Sequence, residues 1–252
     1  MPALAFYIDS PLQSWGLSSK FDVRQTNRFP TKSAVVGLIA AALGIDKHGP
    51  DEGEALSAIT DCRLTVVRMD KLAASPRLVD FHTVGGGYDK TKSTWEKMSI
   101  PRKASGAPFG TVLTRRSYLT DASFAAILEG SRETLDTVRD ALLDPKWGVW
   151  FGRKHCLPAS PLSPCLQASP QLAFDTLREV IAQMDAFYYR DRETDTPLKS
   201  YEFQEELETM EAGSVLQKDQ PASFGAHHGS IPLPYAGRAI RHHRPIGNDA
   251  DL

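Results

Sequence analysis

Along the chain, apolar residues first run together at Leu4 to Ile8, a short strand pattern that Asp9-Ser10-Pro11 is expected to end, because proline supplies no ladder donor. A polar loop follows from Leu12 to Pro30. Pro30-Thr31-Lys32-Ser33 then offers capping hydroxyls ahead of Ala34 to Leu43, with Gly44 as the C-terminal stop, so a helix is predicted there. Its residues are apolar all round, which predicts burial, and Gly37 inside it costs about 1 kcal/mol against alanine, which points to close approach of another backbone. Asp51 to Ile59 reads as a second helix, and Arg63 to Arg68 and Arg77 to Val84 as strands. Thr111 to Leu128 is long and β-prone, as a central strand would be, and Ser131 caps an amphipathic helix over Arg132 to Leu143. Gly148 to Phe151 completes the series as a further strand.

That order, strand, helix, strand, strand, helix, strand, predicts an α+β fold of ferredoxin-like (RRM-like) type over residues 1–167. An insertion at about 85–112 opens on Gly85-Gly86-Gly87 and has little apolar periodicity. Residues 168–252 form a C-terminal extension, mostly β. Within it Ala168 to Met184 suggests a helix, Asp185 to Tyr189, Ser214 to Gln217 and Ala239 to Arg244 suggest strands, and Glu202 to Glu211 an acidic, solvated face.

Composition narrows the class. A chain of 252 residues with 41% hydrophobic and 24% charged residues can bury a core without staples. Three cysteines (Cys62, Cys156, Cys165) without paired spacing indicate neither a disulfide framework nor a zinc site, and a reducing cytoplasm is the default. The longest apolar run, Ala34 to Leu43, is too short to span a bilayer, and no secretory leader pattern opens the sequence, so no membrane role is expected. The net charge of -2 gives no global basic field, so any nucleic-acid face must come from local clustering.

Clusters of that kind exist. Lys20, Arg24, Arg28 and Lys32 stand against the single acid Asp22, and the insertion sets Lys90, Lys92, Lys97, Arg102 and Lys103 against Asp89 and Glu96. Thr31, Lys32 and Ser33 at a helix N-terminus combine backbone N–H groups, hydroxyls and a cation, a set suited to phosphate, although the two hydroxyls also serve as plain caps. Arg24 and Arg28 can fork onto phosphates or base edges, or be a solvated loop face. Gln13 and Gly16 are candidates for close approach. Trp15 can stack on a base for about 1–3 kcal/mol, but is more often a core anchor. Arg115 and Arg116, and Arg153, Lys154 and His155, are basic groups at strand edges that would form a groove if they shared one sheet.

His82 and His155 are the residues best suited to acid or base work. No Ser-His-Asp set, phosphate loop or pair of metal-ligand motifs is present in the sequence, so neither a metal nor any other cofactor is expected.

Five ordered blocks carry a resemblance: Pro11 to Gly16, Arg28 to Ser33 running into Gly37 to Gly44, Asp80 to Val84, Tyr118 to Phe124, and Gly152 to Cys156. Over roughly residues 4–167 they resemble the CasD-type subunits of the bacterial CRISPR surveillance complex Cascade. The resemblance implies a ferredoxin-like domain with an inserted thumb that holds the 5′ handle of the guide crRNA without cutting it, in antiviral defence. It also implies a backbone subunit and a large subunit as neighbours, with target DNA met indirectly. The alternative the resemblance leaves is metal-independent processing of the guide precursor, which related members of the superfamily perform with a His, Lys and Tyr set that His82, Tyr88 and a nearby lysine would imitate; the His82 block argues against it, being shared with non-cleaving relatives.

Overall fold

The computed structural model describes residues 2–16, 22–69, 77–84, 91, 93, 105, 112–162, 173–174, 202–221 and 235–243. Among them, nine strands join one curled, mainly antiparallel sheet, and three helices pack against it. The organising strand is β5 (Val112–Glu129). Its second half, Ala122 to Leu128, is buried throughout, as expected of a central strand that neighbours flank on both sides. There β1 (Ala3–Gln13) pairs along one side, from Ala3 opposite Glu129 to Gln13 opposite Leu119. On the other side β3 (Arg63–Arg68) pairs, from Arg63 opposite Glu129 to Arg68 opposite Phe124.

The first half of β5 leaves the core. It pairs with β4 (Arg77–Val84) on the β3 side, and with the two-residue β2 (Val23–Arg24), in parallel, on the β1 side. A β-ribbon therefore projects from the sheet, with exposed Val79, Phe81 and Leu113 on it.

Helix α1 (Lys32–Leu43) begins at Thr31, whose hydroxyl accepts from the Ala34 N–H, and ends at Gly44 with φ 71°, as the capping residues predict. It is not buried all round: Ser33, Ala34, Gly37 and Ala41 form a half-buried stripe along one side. Helix α2 (Glu52–Thr60) precedes β3, and α3 (Arg132–Leu143), capped by Ser131, buries Leu135, Val138 and Leu142.

Four further expectations need correction. Pro11 does not end the first strand, because the register steps over it: Ser10 pairs with Ala122 and Leu12 with Thr120, and no donor is asked of the proline. Residues 148–151 are not a strand. They belong to a tight loop in which Phe151 N–H bonds the Cys156 carbonyl and Gly152 sits at φ 94°. Of the helix expected from Ala168, the described residues are Ala173–Phe174, and these form strand β6 against Ala3 and Leu4. The fourth correction concerns the acidic stretch from Glu202. Phe203–Leu207 is strand β7, paired with β3 on one side and with β9 (Tyr235–His243) on the other. Strand β8 (Val215–Pro221) closes that edge by pairing with β9, so the two strands expected near 214 and 239 are present. The strand expected at 185–189 and nearly all of the charged insertion lie outside the described residues.

Candidate nucleic-acid interface

Where the ribbon leaves the core, an open groove of about 660 Å³ lies between α1, β2, the ribbon and the 148–153 loop. Its α1 wall is the half-buried stripe, and three arginines line it: Arg24 from β2, Arg116 from β5 and Arg153 from the loop. Thr31, Ser33, Ser14 and Thr114 add hydroxyls, Trp150 an aromatic ring, and Gly16, Gly148 and Gly152 bare backbone. No described lining residue is acidic. Three cations and no acid among the described lining residues, with Asp80 standing opposite Arg116 on β4, and small side chains that let a ligand approach closely make a surface suited to a polyanion.

Local sequence explains each wall. Gly152 is obligatory, because a Cβ there would fall 1.8 Å from the Ser14 carbonyl oxygen. The Ser14 N–H bonds the Phe151 carbonyl, and the Trp15 and Phe151 rings lie 5.9 Å apart, so the loop is seated on the end of β1. Arg153 ties that loop to two strands, donating from Nη1 to the Ser117 carbonyl and from Nη2 to the Arg24 carbonyl, each at 3.2 Å. Its guanidinium carbon stands 4.3 Å from the centroid of the Tyr118 ring.

Six of the residues expected to contact nucleic acid line this groove: Gly16, Arg24, Thr31, Ser33, Arg116 and Arg153. Others do not. Trp15 is 1% exposed and its indole N–H donates to Gln13 Oε1, so it anchors the loop and presents no face to a base. Gln13 is wholly buried, spending its amide on the Ala122 and Ile8 carbonyls.

Lys32 is the largest departure. It is 2% exposed, with Nζ 2.7 and 2.9 Å from the two Glu206 carboxylate oxygens, and its backbone N–H donates to Asp219 Oδ2 at 2.8 Å. The anion at the start of α1 is thus the protein's own carboxylate. Asp219 is held by Arg238 at 2.7 and 2.9 Å, and Glu206 also accepts from Leu64 N–H at 3.0 Å. Burial pushes the Lys32 ammonium below its ordinary pKa, and Glu206 opposes that shift.

Arg28 lies away from the groove, paired with Glu202 at 3.0 Å. Arg115 cannot share the groove with Arg116, since neighbours on a strand point to opposite faces; it sits opposite Val23 and Phe81 instead. His82 is opposite Thr114 on the ribbon, with Nδ1 3.6 Å from Asp80, and does not line the groove. Lys154 rides over the Trp150 ring at 5.8 Å, and His155 packs on Tyr118 at 5.3 Å. Lys20 and the partners considered for His82, Tyr88 and Lys90, lie outside the described residues. Among the described residues no group of three His, Cys, Asp or Glu could hold a metal ion, and no helix is long and apolar enough to cross a membrane.

Sequence reading missed the α1 stripe, although Ser33, Gly37 and Ala41 recur at intervals of four, and it missed Trp150 two residues before the glycine of the loop motif.

A curled antiparallel sheet with an arginine-lined groove that has no acid among its described lining residues defines a candidate polyanion-binding protein, and comparison with known proteins narrows the class. A family model described as CRISPR-associated protein (Cas_Cas5) matches residues 3–227. The CRISPR system Cascade subunit CasD of Escherichia coli (strain K12) is 30% identical over 181 residues, covering 68% of this chain and 74% of that one. Among solved structures, a chain of a CRISPR RNA-guided surveillance complex superposes with a TM-score of 0.63 at 26% identity, covering 95% of this chain and 88% of that one. A second, described as a Cas protein, gives 0.60 at 25%, with 97% and 95% covered. The chain belongs to the Cas5 family of CRISPR-associated proteins.

Proposed function

We propose that this protein is a non-catalytic subunit of a Cascade-type surveillance complex, and that its groove binds and caps the 5′ handle of the guide crRNA. The observation that carries this reading is the convergence of Arg24, Arg116 and Arg153 on one groove, with no acid among its described lining residues. The small-residue face of α1 lets a phosphodiester chain or a base edge lie close to the helix, and the hydroxyls of Ser33 and Thr114 offer polar contacts for phosphate or 2′-hydroxyl groups, while Thr31, 0% exposed, caps the helix and bonds Ser33.

The near-neutral net charge suits a subunit that buries surface against neighbours. Those neighbours are a backbone subunit and a large subunit, with target DNA reached indirectly and the complex working in the cytoplasm. We read the strand order β6-β1-β5-β3 as the four strands of a ferredoxin-like half, and residues 85–112 as its inserted thumb. Cleavage is not part of the reading: His82 is not among the described lining residues and its Nδ1 stands 3.6 Å from Asp80, whereas metal-free cleavage needs a base within about 3 Å of a 2′-hydroxyl, with an acid and a cation placed around it.

The test is guide binding across a salt series. Replacing Arg24 and Arg116 together by alanine should lower the magnitude of the slope of log K against log salt by roughly 0.7 for each phosphate no longer neutralised. An unchanged slope in a double variant that folds and assembles would place the guide elsewhere.

A further inference from the structure

Resting on that reading of the groove, we propose that Arg153 is a positioning residue: its guanidinium fixes β2 against β5, and so holds the Arg24 side chain at the groove. β2 is two residues long and both its side chains are exposed, so no apolar burial of its own pins it to the sheet. Its neighbourhood is held by Arg115 N–H on the Asp22 carbonyl at 2.7 Å, by Asn27 N–H on the Trp15 carbonyl at 2.6 Å and by Trp15 N–H on the Thr26 hydroxyl oxygen at 2.8 Å. Arg153 adds a guanidinium tie to β2 itself, reaching Arg24 O with one nitrogen and Ser117 O with the other, while Tyr118 supports the plane of the fork.

The fork is itself well anchored. Gly152 lies against the Ser14 carbonyl, Cys156 N–H bonds the Arg153 carbonyl at 2.8 Å, and Cys156 is fully buried. One guanidinium thus joins three separate pieces of groove wall: the loop, β5 and β2. A lysine keeps the charge but loses the planar fork, because a single ammonium cannot serve both carbonyls and lie flat on the Tyr118 ring. Charge and geometry are therefore separable by one substitution.

Arg153→Lys should weaken binding of a labelled guide RNA about tenfold, the effect of one charge-assisted hydrogen bond. It should also lower the salt-slope magnitude by roughly 0.7, although the charge at position 153 is unchanged, because Arg24 is then no longer held against its phosphate. In an Arg24→Ala background the same substitution should cost less than about twofold, since coupled residues do not add. An equal loss in both backgrounds, or parental affinity and slope for Arg153→Lys, overturns the proposal. A second measurement needs no RNA. Amide exchange of peptides spanning residues 22–28 should quicken at least about tenfold in Arg153→Lys, with α3 unaffected. Unchanged exchange sinks the positioning role. If Arg24→Ala leaves guide binding intact while exchange quickens, the positioning role stands and the RNA reading of the groove falls.

Discussion

Lys32→Met separates a buried latch from a phosphate contact. Lys32, Arg238, Glu206 and Asp219 form a set of two cations and two anions in which no side chain is more than 12% exposed. Breaking a buried pair by deleting one partner costs about 3–5 kcal/mol, because the other charge is left uncompensated. Glu206 would keep the Leu64 N–H at 3.0 Å and Arg238 Nη1 at 3.4 Å, which places the loss near the low end, about 3 kcal/mol. For a chain of this size that lowers Tm by roughly 6–12 °C. Adding Glu206→Gln removes the orphaned charge and should recover most of the loss in thermal unfolding. Guide affinity of the folded fraction should keep its salt slope. The reasoning fails if Lys32→Met unfolds at the parental temperature while the salt slope drops by roughly 0.7, since Lys32 would then be reaching phosphate.

Gly152→Ala should destabilise by at least about 2 kcal/mol and weaken guide binding with it, because the new Cβ meets the Ser14 carbonyl and φ is 94°; a parental Tm would contradict that geometry. Asp9 has its pKa raised, by burial first, against the hydrogen bond from Ser160. A raised folded pKa favours the neutral form, so stability present below about pH 4 is lost as pH rises through the folded value. Asp9→Asn should therefore have a higher Tm than the parent at neutral pH, with the gap closing on acidification; a gap that widens in acid would refute the sign. Incubated with a repeat-containing precursor RNA, with or without divalent metal, the protein should leave it intact, and site-specific cutting abolished by His82→Ala would instead establish a ribonuclease.

How much of this was legible in the sequence depends on the range of the forces involved. Thr31, Gly44 and Ser131 act through backbone groups within four residues, so both capped helices could be read to within a residue or two. The buried run from Ala122 to Leu128 marked the central strand for a similar reason, since a strand flanked on both sides must be apolar on both faces. Pro11 misled because its cost depends on whether the partner strand asks for a donor there, and that is fixed by register with residues more than a hundred positions away. Glu206 misled in the same way. An acid in an acidic stretch reads as solvated until β7 is known to lie between β3 and β9, with Lys32 and Arg238 waiting for it.

The site divides along the same line. Arg24, Arg116 and Arg153 could be picked out as cations, but their convergence needs β2 paired to Arg115 and Arg116, the alternation that turns Arg115 away, and a loop closed on Ser14. Charge counting put Lys32 and Arg24 in one cluster because it measures distance along the chain. In space they are opposed: Lys32 is turned into a neutralised network behind α1, while Arg24 stands in front of the same helix in the groove. α1 therefore has two functional sides. The C-terminal strands grip its first turn through Asp219 and Glu206, and the stripe of Ser33, Gly37 and Ala41 on its other side forms a wall of the groove. Strands β7 to β9 are thereby part of what shapes the groove, although in the sequence they lie more than 150 residues beyond the helix they hold.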